Sequence, residues 1–360
     1  MMKFIYKISL LLLFFPLLVF AKSNGKKQEK SKTINKVFSV SRDAKLAINN
    51  RYGNLNITTW SKNSIEIQVT ITVKGSDKDQ IIDRLENIDV IFESSANFVS
   101  AKTTFEKERK GWSFWKNNKG ISYQINYKVK MPKSNSVDLD NDYGSIFLGD
   151  LDGNANINCD YGKISAGKLT AENNSINLDY CSLSSIAYLK SGAINIDYSK
   201  LTIDETEQVK VNSDYSTFKA IKAGSVNFNA DYGAIRIDET NEINGNSDYT
   251  DMRFGTVYKN LTIDTDYGAV SVKRLVKDFE NVVINGEYAG IRIEVDANAV
   301  FDFEMSLQYA SFSYDRNDIE FYTKESKSNK KYYEGKFGVG SSNSRIKIKS
   351  QYGGVSIRKK

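Results

Sequence analysis

The sequence predicts an all-β protein, a parallel β-solenoid of about 11 short coils, because one local pattern centred on a tyrosine recurs along most of it. In each copy, apolar and polar residues alternate on both sides of the tyrosine, usually with an acid before it and a small residue after it. Only 2 of the 360 residues are proline, and Tyr, Ile, Val, Asn, Asp, Ser and Gly dominate the copies, which favours short strands over helical repeats. The tyrosines are Tyr143, Tyr161, Tyr180, Tyr198, Tyr215, Tyr232, Tyr249, Tyr267, Tyr288, Tyr309 and Tyr352.

The spacing of these tyrosines supports a stacked architecture. The first eight follow one another at intervals of 17 to 19 residues, and the next two at intervals of 21. Self-similarity at a nearly fixed period indicates one structural unit stacked on copies of itself. An antiparallel meander or barrel with a hairpin at each tyrosine is the alternative, but only a stack requires the same corner at the same place in every copy.

The first 21 residues are expected to be a secretory signal peptide. Residues 1–7 carry two lysines, residues 8–20 form an apolar run of 13, and Ala21 ends a sequence typical of a signal-peptidase site. The run is too short for a comfortable membrane span, and no other apolar stretch approaches 18 residues. We therefore expect an exported chain that is periplasmic, at the cell surface or secreted, with no transmembrane segment after processing.

Residues 22–36 are expected to be a basic linker, because they hold six lysines and one glutamate. The formal net charge of the chain is +6, and the lysines of the signal peptide and this linker account for it, so the remainder is about neutral. Export and the lack of a basic stripe in the repeats argue against nucleic-acid binding.

Residues 37–136 are expected to form a β-rich N-terminal cap that contains one helix. The helix is predicted over 76–87, where Ser76 or Asp77 can cap it and Ile81 and Leu85 lie on an apolar stripe. A stack of strands has open ends that invite aggregation, and this region is placed to cover the first of them. Strands are expected at 39–40, 45–48, 55–57, 64–73, 90–93, 98–105 and 121–129.

The repeats themselves are expected over 137–314. Around Tyr232, apolar residues lie at even positions before the tyrosine and at odd positions after it, so the parity of the strand changes there. By this count the tyrosine continues the buried face, and the residue before it points outward. Glycine often follows, as Gly233 does here, and would provide the corner. Each coil would then have two short strands and two corners, with tyrosines stacked on tyrosines in the interior at ~4.8 Å.

The C-terminal end departs from the repeat. Residues 315–342 lack the pattern and are expected to form a long irregular loop. Residues 343–360 contain the last copy, around Tyr352, and are expected to form the terminal coil.

The two cysteines are expected to be unpaired. Export would permit a disulfide, but Cys159 lies two residues before Tyr161, whereas Cys181 lies one residue after Tyr180. On adjacent coils this offset is roughly 10 Å at ~3.3 Å per residue, beyond the usual Cα separation of a disulfide.

The composition excludes several classes of catalytic site. The chain has no histidine and only two cysteines, so Ser-His-Asp and Cys-His catalysis and the usual zinc sites are absent. No phosphate-binding loop or dinucleotide fingerprint is present. We expect no enzyme activity, no metal site of these kinds and no cofactor.

The acid before the tyrosine is the strongest candidate for a binding feature. By strand parity these acids form an outward row, which can be explained by carboxylates that bond nearby backbone amides at a corner. Alternatively, the row binds calcium, which prefers carboxylate oxygens, although the repeat lacks the glycine-rich calcium pattern. The candidate binding residues are Asp160, Asp179, Asp197, Asp214, Asp231, Asp248 and Asp266, within a row that also includes Asp142 and Glu287.

An aromatic loop is the second candidate. Trp112, Phe114 and Trp115 lie close together in sequence and suit contact with a sugar or a protein. The alternative is that these rings pack over the end of the stack.

Several of these features together resemble a known family. The repeat pattern, the start at Arg51-Tyr52-Gly53-Asn54-Leu55 and the strand SIEIQVTITVKG are similar to those of bacterial exported β-strand-repeat proteins catalogued as "putative adhesins". The likeness spans residues 40 to 357. It implies a β-solenoid of the bacterial envelope, and it supplies no catalytic or binding residues.

The sequence therefore predicts an exported, non-enzymatic protein that presents an extended surface for adhesion or binding at the cell envelope. Its partner would be an envelope or extracellular protein or a polysaccharide. Two alternatives are a polysaccharide-active β-helix enzyme, a lyase or hydrolase that uses paired carboxylates, and a periplasmic protein of envelope maintenance.

Overall fold

The computed structural model describes residues 27–105 and 120–360 of the chain. The predicted signal peptide, the first part of the predicted linker, and the candidate residues Trp112 and Trp115 lie outside the described residues. Within them the protein is all-β, as expected, with 26 strands in one hydrogen-bonded sheet, one α-helix and one short 3-10 helix.

The N-terminal elements include the predicted helix. Asp77 caps it by accepting hydrogen bonds from the backbone N–H groups of Asp79 and Gln80 at 2.9 and 3.1 Å, and Ile81 is buried. The elements are β1 (Gln28–Ser39), β2 (Lys45–Arg51), β3 (Leu55–Trp60), β4 (Ser64–Gly75), α1 (Lys78–Glu86), β5 (Ile88–Ser95), β6 (Phe98–Phe105) and β7 (Ser122–Pro132).

The prediction that residues 22–36 form a linker is wrong from Gln28 onward, where strand β1 begins. Strand β1 pairs antiparallel with β4 along its whole length, from Gln28 opposite Gly75 to Ser39 opposite Ser64. Lys30, Lys32 and Lys36 lie on the same strand face as Ile34, which packs against the core, so their aliphatic stems can lie along that face and a strand forms in spite of the charge.

The copies of the repeat supply most of the remaining strands. They are β8 (Ser136–Asp142), β9 (Ser145–Leu148), β10 (Ala155–Asp160), β11 (Lys163–Leu169), β12 (Asn174–Asp179), β13 (Ser184–Asp197), β14 (Lys200–Asp214), β15 (Thr217–Asp231), β16 (Ala234–Asp248), β17 (Asp251–Asp266), β18 (Ala269–Leu275), β19 (Asn281–Glu287), β20 (Gly290–Val295), β21 (Phe301–Gln308) and β22 (Phe312–Ser313).

Consecutive copies pair in parallel and in register. In the middle of the chain Asp197 lies opposite Asp214, which lies opposite Asp231, which lies opposite Asp248. The copy around Tyr52 also belongs to this arrangement, because β2 pairs in parallel with β8 and β3 with β9. Like positions of successive copies are therefore neighbours.

In the central copies, the second corner of each coil does not interrupt the strand. Strands β14 to β17 each run for 15 or 16 residues, and only the tyrosine and the residue after it separate one strand from the next. The chain bends within the strand instead: Asp204 and Glu207 drop out of the register between β14 and β15. The expectation of two short strands per coil is wrong here, because a bent strand keeps its neighbours paired on both sides of the bend.

The C-terminal elements differ from expectation in two ways. Residues 315–342, predicted as a loop, contain the 3-10 helix (Arg316–Asp318) and two antiparallel strands, β23 (Ile319–Lys327) and β24 (Lys330–Phe337). Strand β24 also pairs antiparallel with β21, so this hairpin covers the free edge of β21.

The last copy is not the terminal coil. Its strands, β25 (Arg345–Gln351) and β26 (Val355–Lys359), pair in parallel with β19 and β20 on one side and with β21 and β22 on the other. The chain returns from the hairpin and inserts this copy between two earlier ones. The copy around Tyr309 is therefore the outermost, next to the hairpin.

The core follows the inward positions of the copies. Ile196, Val211, Phe228 and Ile263 are at most 1% exposed, and they lie two or four residues before a pattern tyrosine. Burying each such side chain contributes about 1.5–3 kcal/mol relative to leaving it in water. The interior is thus filled by aliphatic and phenylalanine side chains and contains none of the eleven tyrosines.

Candidate binding surface

The pattern tyrosines form one continuous row on the outside of the molecule. The eleven rings are 43–56% exposed, and the expectation that they continue the buried face is wrong. With the ring of Tyr52 at the start, consecutive rings stack with centroids 4.6–5.5 Å apart and planes within 15° of parallel. The stacking of the rings is confirmed, but the rings stack on the outer surface and not in the interior, where they were predicted.

The backbone of the tyrosine explains the outward ring. All twelve tyrosines, including Tyr52, have φ between 48° and 63°, the left-handed region that L-residues rarely adopt. A residue in this conformation turns its side chain away from the face that strand alternation would give it. The tyrosine is thus itself the corner, whereas the glycine after it, expected to have this role, has no positive φ at any copy.

Each corner is held to the next copy by its backbone. The N–H of Tyr215 donates to the carbonyl of Asp231 at 2.9 Å, and that of Tyr232 donates to the carbonyl of Asp248 at 3.1 Å. The left-handed residue is therefore fixed by a hydrogen bond and by two stacked neighbours, which together offset its conformational cost of about 1–2 kcal/mol.

The acids before the tyrosines also form a continuous row. Parallel pairing puts each of them directly opposite the next, from Asp142 and Asp160 to Asp266 and Glu287, as predicted from strand parity. We call Asp142, Asp160, Asp179, Asp197, Asp214, Asp231, Asp248, Asp266 and Glu287 the acid row. Parallel strands lie about 4.8 Å apart, so these carboxylates repeat at that interval along the surface.

The residues that continue the acid row beyond its two ends are not acidic. Arg51 occupies the same position in the first copy, and its Nε lies 3.0 Å from Oδ2 of Asp142. At the other end Glu287 lies opposite Gln351, which lies opposite Gln308. The acid row is therefore flanked by a cation at one end and by neutral amides at the other.

The acid row from Asp160 to Glu287 has no side-chain partner in the described part of the chain. Between Asp160 and Glu287, no side chain of the row forms an ion pair or accepts a hydrogen bond from any residue that the structure describes. The expected bonds from these carboxylates to nearby backbone amides are thus not formed. Strand alternation places each carboxylate on the outer face of its strand.

This crowding of like charges changes the acidity of the row. Partial desolvation, together with the neighbouring carboxylates, raises the pKa of Asp160, Asp197 and Asp248 above the ordinary aspartate value. The charged form of the row is therefore a source of repulsion, which a positively charged or hydrogen-bond-donating ligand would relieve.

A second polar row lies two residues before the acid row. Six consecutive copies have asparagine there: Asn158, Asn177, Asn195, Asn212, Asn229 and Asn246. We call these residues the asparagine row. The amide of Asn177 donates to the side-chain oxygen of Asn158 at 2.6 Å, and the amide of Asn195 donates to that of Asn177 at 2.6 Å. Two further bonds, of 2.7 and 3.4 Å, continue the chain of amides to Asn229.

The sequence interpretation missed this asparagine row and the role of Arg51. Asparagine recurs three residues before the tyrosine in six successive copies, a signal as regular as that of the acids. Because both positions lie on the outer face of the same strand, the two rows and the tyrosine row form one surface, which we call the polar face.

The polar face has no metal cluster. Within residues 27–105 and 120–360, no three His, Cys, Asp or Glu side chains come together in an arrangement that could hold a metal ion. Neighbouring carboxylates of the acid row lie in a straight line rather than around a centre. The calcium hypothesis thus has no clustered site to support it in the described part of the chain.

The cysteines are unpaired, as expected. Both are buried, and Cys159 lies opposite Leu178, three residues from Cys181, as the offset predicted. The thiol of Cys181 donates to the carbonyl oxygen of Cys159 at 3.0 Å. The pKa of the Cys159 thiol is raised by the hydrogen bond with Cys181 and by burial, so the Cys159 thiol stays protonated.

No helix among the described residues is long and apolar enough to cross a membrane. No family model and no curated protein matches the sequence.

Several solved structures are similar to this chain. A "putative cell adhesion protein" of Clostridium sporogenes is 11% identical and aligns over 92% of this chain and 100% of its own, with a TM-score of 0.19. A "putative adhesin" of Parabacteroides distasonis is 8% identical over 75% and 94%, with a TM-score of 0.33. A "putative lipid binding protein" of the same species is 14% identical over 91% and 96%, with a TM-score of 0.22. The names of the two adhesion proteins agree with the resemblance indicated by the sequence.

Proposed function

We propose that the protein is an exported, non-enzymatic β-solenoid of about eleven coils whose polar face binds a partner at the cell envelope. Parallel pairing of consecutive copies in register supports the solenoid over an antiparallel meander, which needs antiparallel neighbours. The strands before and after the repeats, β4 to β7 and β23 to β24, act as caps on its two ends.

The unneutralised acid row is the observation that carries this proposal. The protein pairs its charges on other surfaces, as in the ion pairs of Lys222 with Glu205 at 3.1 Å and Lys219 with Asp238 at 2.9 Å. From Asp160 to Glu287, in contrast, like charges face one another over eight copies with no counter-charge among the residues that the structure describes. Such repulsion costs stability, so its presence favours a role in contact with another molecule.

The regular spacing of the polar face indicates an extended partner. Carboxylates and amides repeat at about 4.8 Å, so a polysaccharide or an elongated protein segment can make the same contact on several copies. Ring faces of the tyrosines are covered by their neighbours in the stack. Contacts with the partner therefore use the ring edges and hydroxyl groups together with the two polar rows.

The same regularity argues against catalysis. A glycosidase pair needs two carboxylates in unlike environments, one of which holds a proton. The carboxylates of the acid row have near-identical surroundings from Asp179 to Asp248, with a like charge on each side. We therefore propose a binding protein and not a lyase or hydrolase.

Export follows from the proposed signal peptide at residues 1–21. We propose that the mature chain begins after Ala21 and acts in the periplasm, at the cell surface or outside the cell.

A binding experiment with charge-matched variants tests the proposal. The variant Asp197→Asn/Asp214→Asn/Asp231→Asn removes three charges from the acid row, and Asp204→Asn/Asp278→Asn/Glu320→Gln removes three exposed charges elsewhere. On a glycan array and on purified cell-surface material, the first variant is expected to bind at least about tenfold less than the control variant, a loss of about 1.4 kcal/mol.

Two results would contradict the proposal. One is equal binding by the two variants when both retain the far-ultraviolet circular dichroism of the natural protein. The other is the release of reducing ends from a bound polysaccharide, which would indicate an enzyme.

A further inference from the structure

The polar face ends in a cleft of about 640 Å³ at the C-terminal side of the stack. Its floor is the outer surface of strands β17, β19, β25 and β21, and its far wall is the hairpin of β23 and β24. The wall arises because the hairpin pairs antiparallel with β21 at the end of the parallel copies.

The charge of the row changes sign across this cleft. Following the hydrogen-bonded partners outward, Glu287 lies opposite Gln351, Gln351 opposite Gln308, Gln308 opposite Lys330, and Lys330 opposite Lys327. The side of the cleft formed by β17 and β19 therefore carries the carboxylates of Asp266 and Glu287, whereas the hairpin carries Lys327 and Lys330 together with one carboxylate, that of Glu325. The amides of Gln351 and Gln308 and the ammonium group of Lys349, on β25, lie between the two sides.

These opposite charges do not neutralise each other. Within the described residues, neither Asp266 nor Glu287 forms an ion pair, and no carboxylate contacts Lys330 or Lys349. Lys331 points elsewhere, since its Nζ lies 3.4 Å from the carbonyl oxygen of Ala310. On the hairpin, Lys327 is paired with Glu325 at 3.5 Å, whereas Lys330 has no carboxylate partner among the described residues. Asp266 and Glu287 thus lie across one space from Lys330, and a ligand with both charges would supply the missing partners.

We propose that this cleft binds a short zwitterionic segment, with a ligand ammonium group against Asp266 and Glu287 and a ligand carboxylate against Lys330. This proposal rests on the proposed function, because the cleft is the C-terminal end of the polar face. It adds the kind of ligand that this end binds.

The size of the cleft matches a peptide of about four residues with free termini. Glu287 and Lys330 are separated by three strand steps, or about 14 Å measured along the sheet at 4.8 Å per step. Four extended residues span about 13–14 Å. The side-chain amides of Gln351 and Gln308 lie between the two charged ends, where they can bond the backbone of the peptide.

Calorimetric titration with unblocked tetra-alanine at low ionic strength tests the proposal. We expect binding at about 1 mM or tighter, and at least tenfold weaker binding when either the amine is acetylated or the carboxylate is amidated. The variant Lys330→Gln is expected to bind at least tenfold more weakly. Lys200→Gln, which removes an exposed lysine far from the cleft, is expected to bind as the natural protein does.

Equal binding of the free and blocked peptides, or no binding of any of them, would overturn the proposal. Loss of thermal stability in Lys330→Gln without any peptide effect would show instead that the lysines are counter-charges that hold the hairpin. If the acid-row variant binds cell-surface material more weakly than its control but tetra-alanine does not bind, the cleft proposal is rejected and the proposed function stands.

Discussion

The hydroxyl oxygen of Ser216 accepts a hydrogen bond of 2.8 Å from the backbone N–H of Ser199 in the copy before it. The same hydroxyl donates to the carbonyl oxygen of Asp214 at 2.7 Å, across the intervening tyrosine. Ser199 repeats this arrangement with Cys181 and Asp197, at 2.8 and 2.7 Å. A small polar side chain after the tyrosine therefore links neighbouring corners and closes each one.

Removing this hydroxyl should destabilise the stack. We expect Ser216→Ala to lower the free energy of unfolding by about 1–3 kcal/mol, because the buried N–H of Ser199 loses its acceptor. Chemical denaturation measures the change. The control Ser182→Ala removes an exposed hydroxyl near a neighbouring corner and should stay within about 0.5 kcal/mol. A similar small change for Ser216→Ala would contradict the role of the corner hydroxyl.

The left-handed backbone of Tyr232 predicts an unusual order of stability. Both Tyr232→Gly and Tyr232→Ala remove ring contacts with Tyr215 and Tyr249 at 4.9 and 4.8 Å, but only glycine relieves the positive φ. We expect the alanine variant to be less stable than the glycine variant by about 1–2 kcal/mol.

An ordinary strand position provides the control for that order. At Asn227, on the outer surface of β15, alanine should be more stable than glycine by about 0.5–1 kcal/mol, as in strands generally. If alanine is also the more stable substitution at Tyr232, the corner is not left-handed.

The acid row predicts how stability changes with pH. The pKa values of Asp160, Asp197 and Asp248 are raised in the folded state, so folded protein binds these protons more tightly than unfolded protein does. Their unfavourable contribution is fully present at neutral pH and fades as the pH falls through the raised values. It is fully removed below about 3.9, the unfolded aspartate value.

Replacing the three residues isolates this effect. The variant Asp160→Asn/Asp197→Asn/Asp248→Asn should have a higher Tm than the natural protein at pH 7, and the difference should shrink toward pH 4 and in high salt. Differential scanning calorimetry at several pH values measures it. A variant less stable than the natural protein at pH 7 would mean that the charged row contributes favourable interactions.

The position of Cys181 predicts which substitutions it tolerates. It occupies the place that serine has in the next two copies, so Cys181→Ser should cost less than about 1.5 kcal/mol. Cys181→Leu should cost about 1–3 kcal/mol by overpacking. Alkylation should modify both thiols only after unfolding, because both are buried. Modification of Cys181 in the folded protein would contradict its placement.

Much of the fold could be predicted because a strand has a period of two. Alternation around Tyr232 assigned Phe228 and Ile235 to the interior and Asp231 to the outside, and the structure has them there. Alternation could not assign Tyr232 itself, since the sequence does not reveal a positive φ at a residue type that seldom adopts one. The alternation of strand faces was assigned correctly, but the positive φ of Tyr232 directs its ring outward.

The order of the copies was not predictable from periodicity. The copy around Tyr352 carries the same pattern as the others, and nothing in that pattern indicates that it inserts between the copies of Tyr288 and Tyr309. The strands of the hairpin, β23 and β24, lack the repeat and pair antiparallel. The cleft that they form with the polar face depends on this insertion, and so no pattern in the sequence pointed to it.

Cross-linking of the acid row is the most direct test of the account, because the polar face exists only if the copies pair in register. In a Cys159→Ser/Cys181→Ser background, the pair Asp197→Cys/Asp214→Cys puts two thiols on neighbouring strands about 4.8 Å apart, within the Cα range of a disulfide. The pair Asp197→Cys/Asp231→Cys lies two steps apart, at about 10 Å, beyond that range. After mild oxidation, mass spectrometry should find an intramolecular disulfide in the first protein and free thiols in the second. Free thiols in the first, or a disulfide in the second, would contradict the in-register row.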